Sequence, residues 1–127
     1  MLKRLMGDRG SAVVEFALVA PLLMGIALVL VQVALVLHVR TTLTAAAAEG
    51  SRAAAMADSS FEVGEQRTRA VLSGNVAESV IEAVEVGTMV DAGVTYSEVT
   101  IQARLPLLGL LGPTVMSIRG RSIQEHV

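Results

Sequence analysis

Three residues near the amino end have types and spacing that suit chemistry together: Gly10, Ser11 and, four positions further on, Glu15. Gly10 leaves the backbone without a side chain at this point. Cutting after it would free an amine at Ser11, and that positive charge would suit a Glu15 carboxylate on an adjacent rod. Glu15 calls for some such compensation. An acid costs roughly 2.5 to 3.5 kcal/mol at the centre of a membrane helix and less near its end, and Glu15 stands at the mouth of a long apolar run. A solvated interfacial carboxylate is the simpler reading of the same residue, and both stay open.

The element that must position this group is the run itself. From Phe16 to Leu37 no residue is charged, and as a helix the stretch would cross the roughly 30 Å hydrocarbon core of a bilayer once. The preceding tail carries Lys3, Arg4 and Arg9 against Asp8, and basic flanks are retained on the cytoplasmic side. The expected topology therefore has the N-terminus inside and everything after His38 outside. A secretory signal also has a basic start, but its apolar core is only about 7 to 15 residues long. The tract Ala45 to Ala48 mimics a signal peptidase site, so a soluble product cut near Ala48 is kept as a rival.

Beyond the span, Thr41 to Ala57 is dominated by alanine, the best helix former, and Glu49 and Arg52 are spaced to pair at i, i+3. The simplest expectation is one continuous rod from about Ser11 to about Ala57. Pro21 removes a backbone hydrogen bond and predicts a kink or loosened turn near Ala17, and Gly50 weakens the helix by roughly 1 kcal/mol relative to alanine. The alanine-rich stretch reads either as a seat for neighbouring helices, since small residues permit close approach, or as a plain spacer helix.

Asp58, Ser59 and Ser60 then supply capping groups, and a second helix is expected from about Phe61 to Val84. Its apolar face would hold Ala70, Ala77, Val80, Ile81 and Val84, with Glu78, Glu82 and Glu85 on another side; Gly74-Asn75 is a possible break. After Gly87 the period changes. Val99, Ile101, Ala103 and Leu105 alternate with Thr100, Gln102 and Arg104, the pattern of a half-buried strand ended by Pro106. The apolar, breaker-rich loop that follows, Leu105 to Leu111, is a candidate docking patch or membrane contact, with a buried turn as the plainer reading. Thr114 to Ile123 should return as the hairpin partner, and Val84 to Val94 offers a third strand. The expected fold class is α+β: a long N-terminal transmembrane helix, a second amphipathic helix, and a small antiparallel hairpin or three-stranded sheet.

Composition narrows the function. The chain has 127 residues and a formal charge of −2, which leaves room for one modest exported domain and argues against a broadly electropositive nucleic-acid binder. It has no cysteine, so neither disulfides nor thiolate metal sites are available. With Phe16, Phe61 and Tyr96 as the whole aromatic complement, stacking platforms for bases or sugars are missing. Acids dominate from Asp58 to Glu98 and arginines from Arg104 to Arg121, an asymmetry that could close within one molecule, between stacked neighbours, or not at all. His38 and His126 read as ordinary surface residues, and Glu78, Glu82 and Glu85 read as a solvated face before they read as a cation site. No catalytic residue, metal site, cofactor or small-molecule substrate is expected.

The run Arg9-Gly10-Ser11-Ala12-Val13-Val14-Glu15-Phe16-Ala17-Leu18-Val19-Ala20-Pro21 resembles the N-terminal signature of TadE-like minor pseudopilins, components of the tight-adherence (Flp-type) pilus machinery. Ala48-Glu49-Gly50-Ser51-Arg52-Ala53-Ala54 is similar to that family's small-residue segment centred on Glu-Gly-x-Arg, although Ala48 stands where a basic residue is common. The resemblance implies a type IV pilin-like fold and cleavage between Gly10 and Ser11 by a prepilin peptidase, with Glu15 as the fifth mature residue and Phe16 completing the recognised pattern. It implies residues 1–10 as leader, 11–57 as the rod with its span over 16–37, and 58–127 as the exported head. Implied partners are the prepilin peptidase, the major pilin, another minor pseudopilin, the inner-membrane assembly platform and membrane lipid, in a bacterial inner-membrane protein that helps assemble a pilus. The alternative is an uncleaved single-pass protein whose exported head is an interaction module; an anchored enzyme is the weakest reading.

Overall fold

The computed structural model describes residues 2–56, 59–106 and 113–125. The chain divides into two compact units, Met1–Leu35 and Val36–Val127. Helix α1, Leu2–Ala55, supplies the first and contributes its C-terminal part to the second.

In the first unit the helix is unbroken through Pro21. It also begins before the expected Ser11, because nothing from Leu2 to Arg9 stops a helix already propagating through the apolar run; extending one costs far less than nucleating it. The side chains it displays are apolar and exposed, Val13, Phe16, Leu18, Leu22 and Leu28 among them. The helix is long and apolar enough to cross a membrane. A helix apolar all round is the form suited to lipid.

The second unit packs the end of α1 and helix α2, Phe61–Ser73, under an antiparallel sheet in the order β1-β2-β3: Ile81–Asp91, Val94–Pro106 and Pro113–Ile123. The reason for this packing is visible in α1. Val39, Leu43, Ala46, Ala47, Ser51 and Ala54 are all buried and recur every three to four residues, so one helical stripe faces the core. On β2 the expected alternation holds: Val99, Ile101, Ala103 and Leu105 are buried, while Thr100 and Gln102 are only partly so and Arg104 is exposed. Across the sheet Ile101 is flanked by Val84 and Ile118, and Val99 by Val86 and Gly120, which completes the apolar layer.

The second helix is shorter than expected. It stops at Ser73, with Gly74 as its C-cap; the Asn75 side-chain amide donates to the Val71 carbonyl at 2.8 Å and closes the last turn. Val76, Val80, Ile81, Val84 and Val86 follow closely, and β-branched side chains favour the extended chain. A short 3-10 turn, Glu78–Val80, leads into β1. The helical face expected from Ala70 to Val84 therefore does not exist: Ala70 and Ala77 are exposed, and the buried face of α2 is Gly64, Thr68 and Leu72. Ser60 does occupy the N-cap, but it serves through its carbonyl, which accepts from Val63 N–H at 3.1 Å, and its side chain makes no cap hydrogen bond. Asp58, His126 and the loop from Leu107 to Gly112 lie outside the described residues.

β1 and β2 are joined by a two-residue turn in which Ala92 has φ 50° and Gly93 φ 82°. Positive φ at both positions matches the right-handed twist of the flanking strands, but the first position suits Asn or Gly better than Ala. Ala92→Gly should stabilise the hairpin by about 0.5 to 1 kcal/mol by removing the Cβ clash of the left-handed region. The check is the thermal midpoint of the full chain in detergent.

Candidate functional site

Gly10, Ser11, Glu15 and Phe16 all lie on α1 and are exposed. A Cβ built on Gly10 would meet nothing within 4 Å. Ser11 and Glu15 are one turn apart on the same helical face. Because α1 is helical across Gly10 and Ser11, a peptidase that needs extended backbone must first unwind this turn. Further along the helix, Pro21 and Gly25 help to line a shallow apolar depression with Ile26 and Val29.

The second group, Glu49, Gly50 and Arg52, lies within the other unit. The expected i, i+3 pair is present but long, with Arg52 Nη1 3.9 Å from Glu49 Oε2. The stronger partner of Glu49 is one that sequence spacing did not reveal: Arg67 Nη2 on α2 donates to its Oε1 at 2.9 Å. Arg67 is exposed and Glu49 partly so, and Glu49→Gln should lower stability by only about 0.5 kcal/mol, and by less in high salt. A melt of the full chain at two ionic strengths checks this.

Gly50 does more than its neighbours. A Cβ there would overlap the Thr68 hydroxyl and lie 2.9 Å from the Gly64 carbonyl oxygen, and one on Gly64 would lie 2.7 Å from the Ala54 Cβ. The two helices thus meet through Gly50 and Ala54 on α1 and Gly64 and Thr68 on α2, both spaced by four. Thr68 satisfies its buried hydroxyl locally by donating to the Gly64 carbonyl at 2.8 Å, and Ser51 donates to Ala48 at 2.9 Å. On the sheet side Gly120 of β3 sits directly on α1, where a Cβ would run into the Ala47 carbonyl and lie 2.7 Å from the Ala48 nitrogen. On its buried side the alanine-rich stretch lets the protein's own α2 and β3 approach the helix backbone, while Ala45 stays exposed.

The charge asymmetry is closed in part within the molecule. Arg121 on β3 pairs with Glu98 on β2 at 2.7 Å, and Arg104 on β2 with Glu82 on β1 at 2.8 Å. Glu78, Glu82 and Glu85 do not form one helical face, since the first lies in the 3-10 turn and the others on β1.

An apolar helix of membrane-spanning length, continued into a small α+β unit that closes over its alanine-rich end, fits the class of single-pass membrane proteins. Within that class, the model of the family described as TadE-like protein matches residues 10–52. Over that segment the chain is similar to this family, and the match contains both groups of residues described above. No curated protein and no solved structure matches the chain.

Proposed function

We propose that this protein is a minor pseudopilin of a tight-adherence pilus, processed by a prepilin peptidase between Gly10 and Ser11 and working as a structural part of pilus initiation or assembly. The observation that carries the reading is the position of the family match, which begins at Gly10 and includes Glu15, Phe16 and Pro21. In this reading residues 1–10 are the leader and Lys3, Arg4 and Arg9 keep it in the cytoplasm. The span from Phe16 to Leu37 holds the chain in the inner membrane, and the unit that follows is exported. Cleavage converts Ser11 into a cationic terminus that offsets the Glu15 carboxylate of a neighbouring rod in a medium that tolerates neither charge alone. The protein acts through binding surfaces, on the major pilin, a second minor pseudopilin and the assembly platform, and not as an enzyme.

The second reading is an uncleaved anchor whose exported unit binds another protein. Deleting the gene and restoring it tests the choice. Surface pili counted by electron microscopy should be lost on deletion, return with the natural chain, and fail to return with Glu15→Ala. Normal piliation without the protein would defeat the proposal.

A further inference from the structure

The two outer edges of the sheet carry opposite charges. β1, at one edge, holds Glu82, Glu85 and Asp91 and no base; β3, at the other, holds Arg119 and Arg121 and no acid. Register shows which of these share a face. Glu85, Thr100 and Arg119 form one row across the sheet on the side away from the helices, because the adjacent row, Val84, Ile101 and Ile118, is the one turned into the core. Glu85 and Arg119 end their row at opposite edges, two strand spacings or roughly 9.5 Å apart. Both are exposed, and neither forms an ion pair among the described residues, whereas Glu82 is held by Arg104 and Arg121 by Glu98. Apart from the ladders to β2, no backbone hydrogen bond among the described residues reaches residues 82–91 or 113–123. Each edge is thus an unpaired template of the kind that accepts a strand from another chain.

The charges choose the strand. Pairing β3 with the β3 of a second copy would set Arg119 and Arg121 against themselves, and pairing β1 with β1 would do the same to its acids; like charges side by side are destabilising. Pairing β3 of one copy with β1 of the next sets Arg119 beside Glu85 instead. With the outer faces kept on one side these two strands run parallel, and the register that joins Arg119 to Glu85 continues every row of the sheet. It brings Ile123 beside Met89, which already share a row through Tyr96, and on the inner face Ile118 beside Val84, which share a row through Ile101. Charge at a sheet edge ordinarily wards off other copies, but opposite signs at the two edges forfeit that protection for this one arrangement. We propose that copies of this chain associate head to tail, the β3 edge of one on the β1 edge of the next, with the Arg119 to Glu85 contact fixing the register. Such a heterologous contact leaves one edge of each kind unused, so it propagates into a row of copies and does not stop at a dimer. It requires neither cleavage after Gly10 nor a pilus, so its failure and the failure of the function proposed above are separate results.

Cysteine cross-linking of the full chain in its native membrane provides the test. The chain contains no cysteine. Ala83 and Ser117 both pair with Gln102, so the proposed register sets Ser117 of one copy beside Ala83 of the next. Within one copy they stand roughly 9.5 Å apart across two strand spacings, beyond the roughly 7 Å that a disulfide bridges. On oxidation with copper phenanthroline, Ala83→Cys with Ser117→Cys in one chain should give a ladder of dimers, trimers and longer species. Either cysteine alone should give at least about tenfold less dimer, and the two single-cysteine chains expressed together should cross-link to dimers and no further. Added to the double-cysteine chain, Glu85→Arg or Arg119→Glu should lower the ladder by about tenfold, and both together should restore it, because the exchanged charges face each other again. Dimers from a single cysteine in equal yield, absence of the ladder, or a ladder indifferent to the charge exchange would each overturn the proposal.

Discussion

Gly120→Val is expected to detach β3 from α1 and to cost the Val36–Val127 unit about 3 kcal/mol or more, at the upper end of what forced overpacking costs. The obstruction is backbone and not the end of a flexible side chain. A Cβ at this position would meet the Ala47 carbonyl and the Ala48 nitrogen, and neither can move without shifting the helix. Gly120 pairs with Val99 at the centre of the sheet, so displacement there also opens the packing of Val99 and Ile101, both fully buried. Gly87→Ala is the control, since a Cβ on that strand glycine would meet nothing within 4 Å and the change should leave stability within about 0.5 kcal/mol. Thermal melting and limited proteolysis of the full chain in lipid nanodiscs provide the readouts. Equal midpoints for the two variants would show that α1 and β3 are not packed as described.

Gly10→Leu should have the opposite character: no effect on folding and a large one on maturation. Open space surrounds Gly10, and leucine has a better helix propensity than glycine by roughly 0.8 kcal/mol, so the variant should accumulate as a stable membrane protein. If a peptidase must close on the bare backbone there, processing should slow by at least about a hundredfold, which corresponds to about 2.7 kcal/mol of lost transition-state binding. Pulse labelling, with leader loss followed by mass, measures it. Processing at the natural rate would mean that the cut, if any, lies elsewhere.

Much of this architecture was legible in the residues. The alternation from Val99 to Leu105 names a strand with one buried face because a period of two has no other economical meaning, and the uncharged run from Phe16 to Leu37 names a helix suited to lipid. The misreading of α2 also has a definite cause. Ala70, Ala77, Val80, Ile81 and Val84 fit a helical period when the break at Gly74 and Asn75 is discounted, yet the concentration of Val and Ile after that break marks β1. The closeness of Gly50 to Gly64, and of Gly120 to Ala47, was not legible at all. Each glycine has an ordinary local explanation, and only the meeting of segments far apart in sequence shows that the missing side chains are what permit contact. For the same reason Arg67 as partner of Glu49, and Arg121 as partner of Glu98, stayed hidden behind nearer candidates. The meaning of Gly10, Ser11 and Glu15 is the reverse case: it is carried by sequence and family, and an exposed helix turn adds accessibility to it.

The most direct measurement is the N-terminal sequence of the protein isolated from native membranes, with its prepilin peptidase present and absent. The pseudopilin account predicts a start at Ser11 that disappears when the peptidase is removed. A start at Met1 in both cases would contradict it and leave an uncleaved anchor; a start near Glu49 would show that the long helix is a signal segment instead.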